Sequence, residues 1–207
     1  MSNASYSADG VVLGNTYDKY NTRNPVAKLL MAGFERNLDD LLDSTTPESL
    51  LDIGCGEGVL TQRWAKRLAP ARVVGIDLDD PLLAAEWSKR TEPNLSYVVH
   101  RAENLPFADG EFDTVTATEV LEHVPDPAHT LSEMVRCARR HVLISVPREP
   151  LWRAVNMARG AYWRSLGNTP GHLNHFSRRA IVALCAEHAD VIETRSPFPW
   201  TMVLVHV

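Results

Sequence analysis

No run of apolar residues in this 207-residue chain approaches the ~20 positions that a membrane-spanning helix requires. Cysteine is scarce: Cys55, Cys137 and Cys185 are odd in number and far apart. They match neither a disulfide framework nor metal-finger spacing, which points to a reducing, cytoplasmic compartment. Met1-Ser2-Asn3-Ala4-Ser5 lacks the basic-then-apolar pattern of a signal peptide and reads as a disordered tail or an expression remnant. There is no internal repeat and no low-complexity linker. An excess of positive charge is missing too, and a net charge of −5 argues against a general nucleic-acid binder.

What is present suits one globular domain with a three-layer core, at 44% hydrophobic and 23% charged residues. The charge is uneven: residues 1–135 carry 22 acids against 11 Lys/Arg, whereas 136–179 carry nine arginines and one acid, Glu149. Those arginines either solvate a helical surface or face an anionic acceptor or an anionic membrane surface.

The chain is organised around Ser49-Leu50-Leu51-Asp52-Ile53-Gly54-Cys55-Gly56-Glu57-Gly58. Leu50 to Ile53 is a short apolar strand, and three alternating glycines turn it into a helix beginning near Val59. Gly54 suits the positive φ of a tight turn, Gly56 leaves bare backbone for a ligand, and Gly58 allows close helix–strand packing. A second strand, Arg72–Asp77, ends on a carboxylate placed to hold ribose hydroxyls. The spacing is Gly-x-Gly-x-Gly, not the Gly-x-Gly-x-x-Gly of dinucleotide folds, and no Tyr-x-x-x-Lys pair is present, which disfavours a NAD-dependent oxidoreductase.

Asp52 with the glycine loop resembles motif I of the class I S-adenosylmethionine-dependent methyltransferases, and Gly75-Ile76-Asp77-Leu78 resembles the acidic loop that follows it. Leu-Glu-His-Val-Pro-Asp-Pro at 121–127 is similar to a run in ubiquinone-pathway O-methyltransferases and the small-molecule group around them. The resemblance covers 50–207 and is strongest in 50–127. It implies a Rossmann-like, doubly wound α/β fold. Its seven-stranded sheet has an antiparallel last strand, helices on both faces and a helical lid insertion after strand five. Residues 1–48 would form a tail and a cofactor-covering helix, and 49–207 a single methyltransferase domain with 148–176 as the lid. The cofactor would be S-adenosylmethionine, leaving as S-adenosylhomocysteine.

Along the chain, Pro25 opens a helix with apolar residues at Val26, Leu29, Leu30, Phe34, Leu38, Leu41 and Leu42, after an irregular stretch from Tyr17. Arg23 or Lys28 would either reach the methionine carboxylate or pair on the surface. Helices are predicted at Val59–Leu68 and from Pro81, and a buried third strand at 97–100. In the family, the residue after the strand-two acid packs on adenine, here Leu78. An aspartate usually accepts from the adenine amino group where this chain has Arg101, which has no acceptor. That contact would fall to backbone groups of Arg101 and Ala102 or to another side chain. A fourth strand, 113–118, places Thr118 beside the methionine portion. Asp52, Gly54, Cys55 and Gly56 complete the expected cofactor contacts.

Glu119, Glu122 and His123 would share one face of a helical turn. With His172 or His175 they would form a divalent-cation site, an arrangement some quinone O-methyltransferases and small-RNA 2′-O-methyltransferases use; otherwise Glu122 and His123 cap the loop. His123 is the candidate base, because imidazole titrates near neutrality. A fifth strand spans 141–146. The segment 148–171 carries Trp152, Tyr162, Trp163 and four arginines, and either roofs an acceptor pocket or packs on the sheet edge; beside arginine, its aromatics would suit lipid-substrate access. Ser177 caps a helix to about Glu187, and two strands close the sheet. The implied activity is methyl transfer to a small, polar, anionic or lipid-linked acceptor, at oxygen by resemblance, with C- or N-methylation open. The alternatives are a metal-assisted RNA 2′-O-methyltransferase and a non-catalytic cofactor-binding regulator. No stable nucleic-acid partner and a monomer or homodimer are expected.

Overall fold

A computed structural model describes residues 24–207, together with a two-residue antiparallel pairing of Ser5–Tyr6 with Val12–Leu13. Arg23, the stretch 17–23 and residues 1–4 lie outside the described residues. Seven strands form one sheet: β1 (Ser49–Ile53), β2 (Arg72–Asp77), β3 (Leu95–Val99), β4 (Phe112–Thr118), β5 (Ala138–Pro147), β6 (Asp190–Arg195) and β7 (Trp200–His206). Their order is β3-β2-β1-β4-β5-β7-β6. β1 to β5 run parallel, and β7 is antiparallel to both β5 and β6, as expected. The order reverses between β1 and β4, so the carboxyl ends of these strands open a crevice, the usual ligand position in such sheets.

Helices α1 (Pro25–Thr45), α2 (Val59–Leu68), α3 (Pro81–Trp87), α4 (Pro127–Cys137), α5 (Leu151–Ala158) and α6 (Arg178–Ala186) cover the sheet or extend from it. Strand alternation divides the core into two layers. Leu50 and Val73 face Phe34, Leu38 and Leu42 of α1 and Trp64 of α2. Leu51, Ile53 and Val115 face Leu131 and Met134 of α4 and Ile181 of α6. β1 and β4 are buried on both faces, and polar residues they carry, among them Asp52, Thr114 and Thr116, are buried with them. Among the described residues, no helix is long and apolar enough to cross a membrane.

Two expectations need correction. The third strand is Leu95–Val99 and lies at the sheet edge, where its residues are at most half-buried, because no strand pairs beyond it. Val26 and Leu29 project into solvent, so the buried stripe of α1 starts a turn later than its periodicity suggests.

The helix ends follow capping chemistry. Asn24 accepts from the Val26 and Ala27 amides ahead of Pro25, and Ser177 Oγ accepts from Ala180 N at 3.1 Å. Ser177→Ala is expected to lower the unfolding free energy by about 1 kcal/mol, read as a shift of the urea midpoint with unchanged slope.

Candidate functional site

The loop joining β1 to α2 is held in a left-handed conformation at Gly54, Gly56 and Gly58, with φ of 66°, 54° and 77°. At Gly54 a Cβ would also drive into Val120, so both the turn and the neighbouring wall require glycine there. The Gly54 and Cys55 amides donate to Ile76 O at 2.8 and 3.1 Å, tying the loop to β2. The space a Cβ would need at Gly58 is filled by the Tyr97 ring, so the close neighbour of this glycine is an aromatic side chain on β3.

Asp77, at the end of β2, accepts from Gly56 N at 2.6 Å and from Leu78 N at 2.8 Å. Burial pushes its carboxyl above the ordinary range, against the lowering effect of those two amides. Asp52 is more deeply enclosed and accepts from Thr61 Oγ1 at 2.6 Å and Thr116 Oγ1 at 3.1 Å. Desolvation outweighs both hydroxyls and raises its pKa from 3.8 to about 7. Burial, then the nearby acids, keep the Cys55 thiol well above its normal pKa, so it stays protonated and unreactive. Thr118 Oγ1 is buried and makes no hydrogen bond within the protein, a polar atom that a bound group would satisfy.

One cavity of about 280 Å³ joins these groups. Asp52, Gly54, Cys55, Gly56, Asp77, Leu78, Arg101, Ala102, Thr118 and His123 all line it. Phe34 of α1 closes one side, and Trp152 and Asn156 of α5 with Arg159 just after it another. Lys28 is exposed and lies outside the cavity wall. Bare backbone at 54–56, a carboxylate at 77 and an unsatisfied hydroxyl at 118 fit a nucleoside carrying hydroxyl and polar groups.

The 119–123 segment departs from the expected helical face. Glu119 adopts φ 61°, which turns its carboxylate toward Ser145 Oγ at 3.2 Å and Trp200 Nε1 at 2.8 Å. The grouping that forms is Glu122, His123 and His172, with one ligand atom from each within 4.8 Å of the others. His175 is exposed and bonds Asn168 Oδ1 at 2.8 Å, away from the group. His123 Nδ1 lies 2.9 Å from Gly171 O; a carbonyl can only accept, so Nδ1 carries a proton. Of Arg153, Arg159 and Arg164, Arg159 alone lines the cavity, while Arg153 turns to Glu149 at 3.7 Å. Arg136 and Arg139 are committed to structural acids, Glu133 and Asp113.

Residues 51–146 match the family model described as a methyltransferase domain. Over these residues the chain is similar to methyltransferase domains. The chain is 41% identical over 92 residues to the ubiquinone biosynthesis O-methyltransferase of Methylococcus capsulatus, covering 43% of this chain and 38% of that protein. It is 38% identical over 104 residues to the mitochondrial ubiquinone biosynthesis O-methyltransferase of Candida albicans, covering 48% and 31%. The chain thus spans well under half the length of these two relatives. Magnesium protoporphyrin IX methyltransferase from Synechocystis PCC 6803, solved with bound S-adenosylhomocysteine, superposes with TM-score 0.66 at 18% identity, over 90% of this chain and 89% of that one. An S-adenosylmethionine-dependent methyltransferase from Mesorhizobium loti gives 0.65 at 16%, over 84% and 98%, and both likenesses establish the fold.

Sequence reasoning did not anticipate that Phe34 and Trp200 line this cavity. Phe34 and Trp200 meet at 4.7 Å, Trp200 and Trp152 at 5.7 Å, and His123 and His172 at 4.9 Å between ring centroids. Phe34 has ordinary helical-core spacing and Trp200 sits in a closing strand, so neither carries a local signal. Nor did the sequence flag Asn156, which is buried in α5 and donates to Gly167 O at 2.8 Å, fixing the loop that follows.

Proposed function

We propose that this protein transfers a methyl group from S-adenosylmethionine to an oxygen of a small, polar acceptor. The observation that carries it is the shared cavity, which brings the glycine loop and Asp77 together with His123. S-adenosylmethionine, when bound, supplies a methyl already activated on a sulfonium, so the protein's task is positioning and water exclusion. The Gly54–Gly56 main chain and Asp77 would hold the nucleoside, Thr118 the amino-acid portion, and Leu78 with the Arg101–Ala102 backbone the adenine. Asp52 would support the loop from beneath. His123 Nε2 would take the acceptor proton, with Gly171 holding the ring.

The segment 148–176 acts as a lid over the acceptor, and α1 covers the cofactor from the other side. Arg159 on the cavity wall supports an anionic acceptor, and the curated relatives' names support O-methylation. Three free thiols, Cys55, Cys137 and Cys185, support a cytoplasmic setting. Calorimetry tests the core of the proposal: S-adenosylhomocysteine binds in the micromolar range and NAD does not. Binding of NAD instead, or of neither, would overturn it.

A second reading is favoured by one observation, the convergence of Glu122, His123 and His172. These donors suit a divalent transition ion better than magnesium. A metal on His123 Nε2 would occupy the lone pair that the first reading assigns to proton transfer, so the two are exclusive at that atom. Titrating the chelator-treated protein with zinc or manganese separates them. Under the metal reading, His172→Ala weakens metal binding at least tenfold and chelator abolishes turnover. Chelator-insensitive methyl transfer discards it.

A further inference from the structure

The glycine loop is gripped from two directions, and one grip comes from a residue that the cofactor-site assignment does not use. The Gly56 amide donates to Asp77 Oδ2 at 2.6 Å. The Gly56 carbonyl, on the next peptide, accepts from the indole Nε1 of Trp87 at 2.8 Å. Both peptides flanking a left-handed glycine are therefore pinned, one from β2 and one from the last residue of α3. Glycine at φ 54° has many other accessible conformations, so this geometry depends on such external partners.

Trp87 is itself immobilised. It is 9% exposed, and its ring lies on Tyr97 of β3 with centroids 5.0 Å apart and planes 1° from parallel. Tyr97 in turn fills the space beside Gly58 and Gly75, where any Cβ would collide with its ring. The phenol oxygen lies 3.4 Å from Gly58 O, a marginal contact, so Tyr97 contributes its ring face more than its hydroxyl. The indole N–H, by contrast, is a donor-only group that is satisfied at Gly56.

We infer that Trp87 is a positioning residue for the cofactor: stacked on Tyr97, it braces the Gly56 carbonyl and so holds the glycine whose own amide, on the preceding peptide, bonds Asp77. It touches neither substrate nor the reacting atoms. The inference rests on the proposed role of the loop as the cofactor cradle. Its physical content is preorganisation, because a loop already held in the bound conformation spends less of the binding energy on ordering.

Trp87→Phe keeps a ring to stack on Tyr97 and removes the donor. It is expected to weaken S-adenosylhomocysteine binding about tenfold by calorimetry. Exchange of the Gly56 amide hydrogen, followed by mass spectrometry without ligand, should speed up on the order of tenfold. Tyr97→Phe should leave both near wild type. β-(3-Benzothienyl)alanine introduced at position 87 preserves the bicyclic shape without the N–H, so it gives the same two readouts if the phenylalanine variant folds poorly. Wild-type affinity together with wild-type exchange in either Trp87 variant overturns the brace. Exchange needs no ligand, so it judges the brace even if the wild type fails to bind S-adenosylhomocysteine, which would refute the function proposal alone.

Discussion

Asp77→Ala is expected to lower the affinity for S-adenosylhomocysteine on the order of a hundredfold, with the fold intact by circular dichroism. The carboxylate does two things. In the proposed site its oxygens would accept from the ribose hydroxyls, and they also anchor the Gly56 and Leu78 amides at 2.6 and 2.8 Å. Charge-assisted hydrogen bonds contribute roughly 1.5–3 kcal/mol each, and about 1.4 kcal/mol is tenfold in affinity. Losing two such bonds gives at least about a hundredfold before any loosening of the loop is counted. Asp77→Asn should fall between, since its amide oxygen still accepts while its NH₂ opposes a backbone donor. A change of less than twofold for the alanine variant would show that no sugar is held there.

Asp52→Asn should make the protein more stable at pH 8, by on the order of a few kcal/mol. The carboxyl is displaced upward from 3.8 to about 7, with burial as the largest cause. The folded state thus holds a proton that the unfolded state has released. The stabilisation is complete below about pH 4, where both states are protonated, and is lost progressively as pH rises to about 7. Above that it is flat. Asparagine has nearly the same shape and no ionisation to suppress, and the Thr61 and Thr116 hydroxyls can reorient to accept from it. The variant-minus-wild-type difference in urea-derived stability should therefore grow from pH 4 to pH 7 and then level. Glu133, drawn down to about 2 chiefly by Arg136, acts in a separate window: its contribution is present above about 4.5 and fades as pH falls toward 2. It is common to both proteins and cancels in the difference. A difference independent of pH would mean that Asp52 is charged in the folded protein.

Local chemistry made much of this molecule legible. Val59–Leu68 and Arg72–Asp77 carry their own boundaries, through glycines, alternating apolar residues and a terminal acid. Pro25 and Ser177 mark helix starts because a missing amide or a capping oxygen acts within one turn. The glycine spacing, with Asp52 before it and Asp77 after β2, carried the resemblance that implies the cofactor class, since bare backbone and a placed carboxylate are local requirements.

Edge or centre, by contrast, is not written in a strand: Leu95–Val99 looks buried until the sheet order leaves it without an outer neighbour. The metal-ligating candidates were misjudged for a similar reason. Helical spacing puts Glu119 with Glu122, but a single left-handed residue at 119 redirects its carboxylate to Trp200, 81 residues along the chain. His172 replaces it because the loop after α5 folds back, with the amides of Leu173 and Asn174 donating to Glu122 O. What the sequence by itself determined was the fold type, the helix caps and the cofactor loop, because those depend on neighbours a few residues apart. Which histidine, which arginine and which aromatic rings face the cavity was decided by tertiary structure alone, because those pairings join segments distant in the chain and leave no periodic trace in it.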